Sequence, residues 1–186
     1  IFTIRVFPEK HMPTIPAPSA GDFAPYYSLY INPFMDTDIV ESLKAQTEEL
    51  RKLAAGLPDG SGTFRYAEGK WSINDLLQHI IDTERVFTYR TLCIARGDRT
   101  HLPDYDHVPY VSTAGADRRS LDSLLKEFEA VREAYLLLLD SLTPEDFEQK
   151  GTAAGNPVVA KAIPFIVCGH FSHHLGVIRE RYLPAM

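Results

Sequence analysis

Trp71-Ser72-Ile73-Asn74-Asp75-Leu76-Leu77-Gln78-His79-Ile80-Ile81-Asp82-Thr83-Glu84-Arg85 carries two of the devices that fix a helix start. Ser72 stands at the N-cap position, where a hydroxyl accepts from a backbone N–H that has no partner within the helix. Asp75 stands three residues on, where its carboxylate can reach back to the cap, a capping box with Asp in place of Glu or Gln. Trp71 before the cap and Leu76 four residues after it have the spacing of a hydrophobic staple. The helix runs to Ala95 or Arg96, and Gly97 can end it in the left-handed conformation.

Three further helices lie on either side of this one. A stripe of Ile39, Leu43, Leu50, Leu53 and Leu57 predicts a first helix over 36–57, capped by Asp36 or Thr37. Gly60, Ser61 and Gly62 then mark a loop. Leu121, Leu124, Leu125, Phe128, Val131, Tyr135, Leu138 and Leu142 form the apolar face of a third helix that starts after Ser120. A fourth runs over 161–182, with Pro164 tolerated in its first turn, where a missing N–H has no partner to lose. Residues 98–118 and 151–157 read as irregular, and no segment reads as a strand. Four long helices without strands define an all-α bundle.

The first 35 residues hold six prolines, too many for a regular helix, interleaved with Phe23, Tyr26, Tyr27, Tyr30 and Phe34. They read as an extended arm that lays aromatics on the bundle, with a short helical turn near Tyr26–Tyr30. Residues 1–22 are assigned to this arm, and those before Met12 to an extension or cloning remnant; 23–186 form the bundle domain.

Composition narrows the function. The 186 residues are 45% hydrophobic and 24% charged, with a net charge of −6. No basic stripe is present, which argues against nucleic acid, since phosphate neutralisation needs clustered Lys and Arg. No apolar run approaches the roughly 20 residues that span a bilayer, and no signal peptide is visible. Cys93 and Cys168, both inside helices, read as two buried thiols rather than a disulfide framework, so a cytoplasmic location is expected.

His170 and His174, four residues apart on the fourth helix, share one face about a turn apart. That is how a helix supplies two imidazoles to one metal. At about 100° per residue both fall within about 20° of the apolar stripe's centre, while His173 lies roughly 80° off at its rim. Two imidazoles on a core face need either hydrogen-bond partners or an ion. His79 is the best third candidate, because it is the remaining histidine inside a helix. It lies towards one edge of its stripe with Leu76, Thr83 and Val86, so spacing alone does not establish it. Three neutral imidazoles suit zinc, nickel, iron or copper better than magnesium or calcium. They leave a position open for water or substrate, the pattern of catalytic sites.

Gly69-Lys70-Trp71-Ser72-Ile73 leading to His79-Ile80-Ile81-Asp82-Thr83-Glu84-Arg85, together with Gly169-His170-Phe171-Ser172-His173-His174-Leu175, resembles the DinB-like superfamily over about residues 20–183. The resemblance implies an up-down-down-up four-helix bundle of the DinB/YfiT type, often a homodimer. It also implies a metal site of one His on the second helix and a His-x3-His pair on the last, which match His79, His170 and His174. Members include bacillithiol transferases and a mycothiol-dependent isomerase. A metal-dependent thiol S-transferase acting on a small molecule with a low-molecular-weight thiol is therefore the leading expectation. A metal-dependent hydrolase and a non-catalytic dimeric metal-binding or sensor protein are the alternatives.

Around the histidines, Asp82 could orient a ligand or bridge to Arg85 or Arg90; an ion pair is the preferred reading. Arg90 could bind an anionic group of a substrate. His173, Asp106 and Tyr110 are candidates for the pocket wall, with Asp104 and His107 in the same loop. Glu84 and Glu180 read as members of a solvated helix face.

Overall fold

A computed structural model describes residues 14–186. In chain order the α-helices are α1 Ser28–Ile31, α2 Ile39–Gly56, α3 Ile73–Ala95, α4 His107–Ala114, α5 Leu121–Asp140, α6 Pro144–Phe147 and α7 Ala162–Val177. The strands are β1 His101–Leu102, β2 Lys150–Ala153 and β3 Asn156–Val159.

The starts of the long helices follow their caps. Ser72 accepts from the Asp75 N–H at 3.0 Å while Asp75 accepts from the Ser72 N–H at 3.0 Å, so two orphan donors are satisfied at once. Ser120 caps α5 through Ser123 N–H. The cap of α2 is Asp38, whose Oδ1 accepts from Val40 and Glu41, rather than Asp36 or Thr37. At the C-terminus α7 passes into one π-helical stretch, Ile178–Tyr182, so the regular helix ends a turn earlier than periodicity predicts.

Pairings between helices give the direction of each. Arg132 of α5 bonds Leu43 and Gln46 of α2, and Glu129 bonds Arg51. Residue numbers rise on one helix as they fall on the other, so these two are antiparallel. Arg119 meets Gln78, Arg132 meets Glu84 and Tyr135 meets Thr91, so α3 and α5 are parallel. Gln46 meets Cys168 and Glu49 meets Arg179, which makes α2 and α7 parallel. The bundle is up-down-down-up, with the two successive helices α2 and α3 across a diagonal, and the fold class is all-α with a small sheet.

Two corrections concern the connections. The 98–118 segment contains α4 and β1. The 151–157 segment is a hairpin: β2 and β3 pair antiparallel from Lys150↔Val159 to Ala153↔Asn156, and β1 adds to β2 in parallel. Ala154 and Gly155 both have positive φ, 51° and 73°, as a two-residue primed turn requires. Strands of two to four residues are too short to show an alternation in sequence.

The aromatic arm lies on the bundle. Ile15 and Ile31 are buried, Phe23, Tyr27 and Phe34 pack on the same core, and the Val159 N–H donates to Asp22 O at 2.8 Å. Tyr26 stays exposed. The expectation for residues before Met12 falls outside the described residues. Gly169 lets α1 reach α7: a Cβ there would lie 2.0 Å from the backbone oxygen of Tyr30. That close approach seats Tyr30 over the histidines.

A buried polar network ties the four long helices together. Arg132, 1% exposed, pairs with both oxygens of Glu84 at 2.6 and 2.9 Å and donates to Leu43 O and Gln46 Oε1. Gln46 in turn donates to Cys168 O and Ser172 Oγ of α7. Glu84 therefore lies in the core, 2% exposed, and not on the solvated face its sequence context suggests; Glu180 is on the surface. Both cysteines are free, with Cys168 buried and Cys93 half-buried.

Candidate metal centre

His79 comes from α3, one turn past the staple formed by Trp71 and Leu76; His170 and His174 come from successive turns of α7. Antiparallel packing of α3 on α7 brings their rings together. His170 Nε2 lies 3.0 Å from His79 Nε2 and 3.1 Å from His174 Nε2, and the ligand atoms of all three lie within 4.8 Å of one another. His79 is 5% exposed and His170 9%.

This arrangement cannot satisfy itself. Each ring nitrogen carries either one N–H or one lone pair, so it can complete only one good bond. His170 Nε2 faces two other nitrogens at once. Protonation does not resolve the conflict, because burial disfavours the cation. Desolvation, with neighbouring imidazole charge second, lowers His79 to about 4 and His174 to about 3, and holds His170 well below the ordinary value. Three neutral lone pairs aimed at one point are what a transition-metal ion accepts. With bonds of about 2.0–2.1 Å to a tetrahedral ion the nitrogens would stand about 3.3 Å apart, a few tenths wider than the two separations from His170 Nε2. The donor set therefore fits a divalent transition ion.

Outside the convergence point, His79 Nδ1 faces Thr83 Oγ1 at 3.4 Å, one turn along α3. The outer nitrogen of a ligating His usually has such a partner, which fixes tautomer and ring plane. Thr83 occupies the position that sequence reasoning considered for Asp82. A threonine at i+4 from a histidine is a weak signal but was available. Asp82 instead accepts from Gln78 at 3.0 Å and lies 3.6 Å from Arg85. Burial is the largest influence on Asp82 and raises its pKa. His174 Nδ1 is buried with no hydrogen-bond partner among the described residues.

A cavity of about 290 Å³ opens from the three histidines and is walled by Tyr26, Tyr27, Tyr30, Trp71, Thr83, Phe87, Arg90, Asp104, Tyr105 and His107. Arg90 does reach this wall, although it also donates to Pro103 O at 2.9 Å and lies over the Phe87 ring. His107 reaches it too, 5.1 Å from the His79 ring. Asp106 does not: it caps α4 through Val108 N–H and is exposed. Tyr110 stands off the cavity and stacks edge-on against Tyr105 at 4.9 Å. His173 is exposed, 5.0 Å from the His174 ring and 5.8 Å from Tyr30; it does not line this cavity but lines a neighbouring one with His174 and Trp71.

The chain belongs to the DinB superfamily, whose profile matches residues 42–178. It is 23% identical over 144 residues to a protein of Geobacillus thermodenitrificans named "Putative metal-dependent hydrolase", covering 75% of this chain and 79% of that one. A protein of the same description from Geobacillus kaustophilus is 22% identical over 139 residues, covering 73% and 77%. The fold is that of YfiT from Bacillus subtilis, described as a probable metal-dependent hydrolase with an unusual four-helix bundle topology. The TM-score is 0.62 at 15% identity over 76% of this chain and 84% of that one. Among the described residues no helix is long and apolar enough to cross a membrane.

Proposed function

We propose that the chain is a metal-dependent enzyme in which His79, His170 and His174 hold a divalent transition ion, zinc or nickel before iron or copper, and turn a small nucleophile on a small-molecule substrate. The observation that carries this reading is the convergence of three desolvated, neutral Nε2 atoms that cannot satisfy one another. When bound, the ion supplies Lewis acidity and lowers the pKa of a thiol or water that ligates it. The chain's own groups do the rest. Thr83 fixes the His79 ring, the Tyr30 and Trp71 rings restrict water, and Arg90 offers donors to an anionic group.

A low-molecular-weight thiol is the first reading for the nucleophile. Among the residues lining the tyrosine-walled cavity the one carboxylate is Asp104, which is exposed and already accepts from the Tyr105 N–H at 2.7 Å. A thiol that loses its proton on coordination needs no base beside it, whereas water attack gains from one. Hydrolysis is the second reading, and the names of the Geobacillus relatives favour it.

The test is the metal-loaded chain with bacillithiol, mycothiol, glutathione and coenzyme A against 1-chloro-2,4-dinitrobenzene, beside a thiol-free panel of nitrophenyl esters and amides. Metal-dependent acceleration with at least one thiol is expected. Turnover confined to the thiol-free panel decides for hydrolysis. Silence in both, with the metal bound, leaves a metal-binding or sensor protein.

A further inference from the structure

His174 is reached from two cavities, while His79 and His170 line only the tyrosine-walled one. Beyond the tyrosine-walled cavity, a second cavity of about 330 Å³ is also lined by Trp71 and His174. Trp71 and His174 are the two residues that line both. Trp71 is fixed in place: its carbonyl accepts from Tyr182 Oη at 2.8 Å, and its ring lies 5.1 Å from His79 and 5.8 Å from His107. The two compartments thus share one indole and one imidazole.

The compartments differ in chemistry. The first is rich in hydroxyls and holds Arg90 and Asp104. The second has aliphatic and aromatic walls from Leu76, Val177, Trp71 and Tyr182, with no carboxylate among its lining residues. Its ammonium is Lys70, exposed and with no ion pair among the described residues, and the His173 imidazole also lines it. The volume falls in the range of small-ligand pockets, about 300–1,000 Å³. Flat apolar walls select a planar molecule, and the Lys70 ammonium selects an anionic substituent.

We propose that this second cleft binds the electrophilic substrate as a small planar apolar molecule bearing an anionic group, an aromatic carboxylate in its simplest form. The centre would then bring together two molecules, one from each cavity. The inference rests on reading the three histidines as a metal centre. Two unlike compartments meeting at one imidazole suit a reaction between two small molecules better than one between a single molecule and water.

Trp71 is the only tryptophan of the chain and lines both cavities, so its fluorescence reports on them directly. The experiment titrates 2-naphthoate into the zinc-loaded full chain, following Trp71 emission and calorimetric stoichiometry. Saturable one-to-one binding is expected. Val177→Trp, which fills the second cleft, should weaken it by at least about tenfold, and Lys70→Glu by a similar factor. Tyr105→Ala, in the wall of the first cavity, should leave affinity within about twofold. If Val177→Trp does not fold, Lys70→Glu at its exposed position carries the test. No saturable binding by a zinc-loaded wild type, or a loss in Tyr105→Ala equal to that in Lys70→Glu, overturns the second cleft and leaves the metal reading standing. A chain that takes up no zinc yet binds naphthoate with the expected variant pattern overturns the metal reading and upholds the cleft as a ligand site.

Discussion

At the scale of the residue, His170 is the key group, because its Nε2 is shared between two other imidazoles. His170→Ala or His174→Ala should abolish stoichiometric zinc uptake while circular dichroism stays helical; wild-type metal content in both variants would refute the site. The depressed pKa values have a consequence for the metal-free protein. The folded rings stay neutral to about 4 for His79 and about 3 for His174, whereas in the unfolded chain they gain protons near 6.5. Below pH 6.5 the unfolded state binds more protons, so stability rises with pH. The contribution is fully present above about 6.5 and lost as pH falls through the folded values. The thermal midpoint of metal-free protein should therefore drop between pH 7 and pH 4, and drop less in His79→Gln; a flat midpoint would contradict the burial of these rings. Thr83 and Glu84 show why chemistry at this scale is only partly legible. Adjacent on α3, one faces His79 and the other Arg132, and nothing in their spacing distinguishes a solvated carboxylate from one clamped in the core.

At the scale of the element, α7 departs most from an amphipathic pattern. Residues 162–171 are all buried, because α1 covers the side that would face solvent in a bare four-helix bundle. Its two interior glycines should behave in opposite ways. Gly169→Ala forces a methyl onto the Tyr30 backbone, which cannot give way as a side-chain tip can, and should cost about 1–3 kcal/mol or more. At Gly176 an added methyl would meet nothing within 4 Å, so Gly176→Ala should stabilise by about 0.5–1 kcal/mol through helix propensity. Urea denaturation of the pair checks both signs, and equal effects would remove the α1–α7 contact from the account. The capping box of α3 was readable because a cap is a local device within four residues. The hairpin β2–β3 was not, because strands of four residues are too short to show an alternation, and β1, which joins them, pairs with residues about fifty positions further on.

At the scale of the whole molecule, the Glu84–Arg132–Gln46 network joins all four long helices. Removing one partner strands a buried charge, so Arg132→Met should cost about 3–5 kcal/mol in chemical denaturation. The double variant Glu84→Leu with Arg132→Met should recover part of that loss. Full recovery is not expected, because Leu43 O and Gln46 Oε1 also lose their donor. A single-variant cost under about 1 kcal/mol would show that the network contributes little to the bundle.

The sequence by itself determined the four long helices, the caps of α3 and α5 and the phase that puts His170 and His174 on one face, because each is a local property of a few turns. Its likeness to the superfamily indicated the order of the helices and His79 as the third ring. Only the tertiary structure decided that the three Nε2 atoms converge, that Thr83 rather than Asp82 stands behind His79, that Glu84 is buried, and that Trp71 and His174 line two cavities. Those facts depend on how α3 lies against α7 and how closely α1 approaches Gly169. Side-chain spacing along one helix does not encode the distance to another.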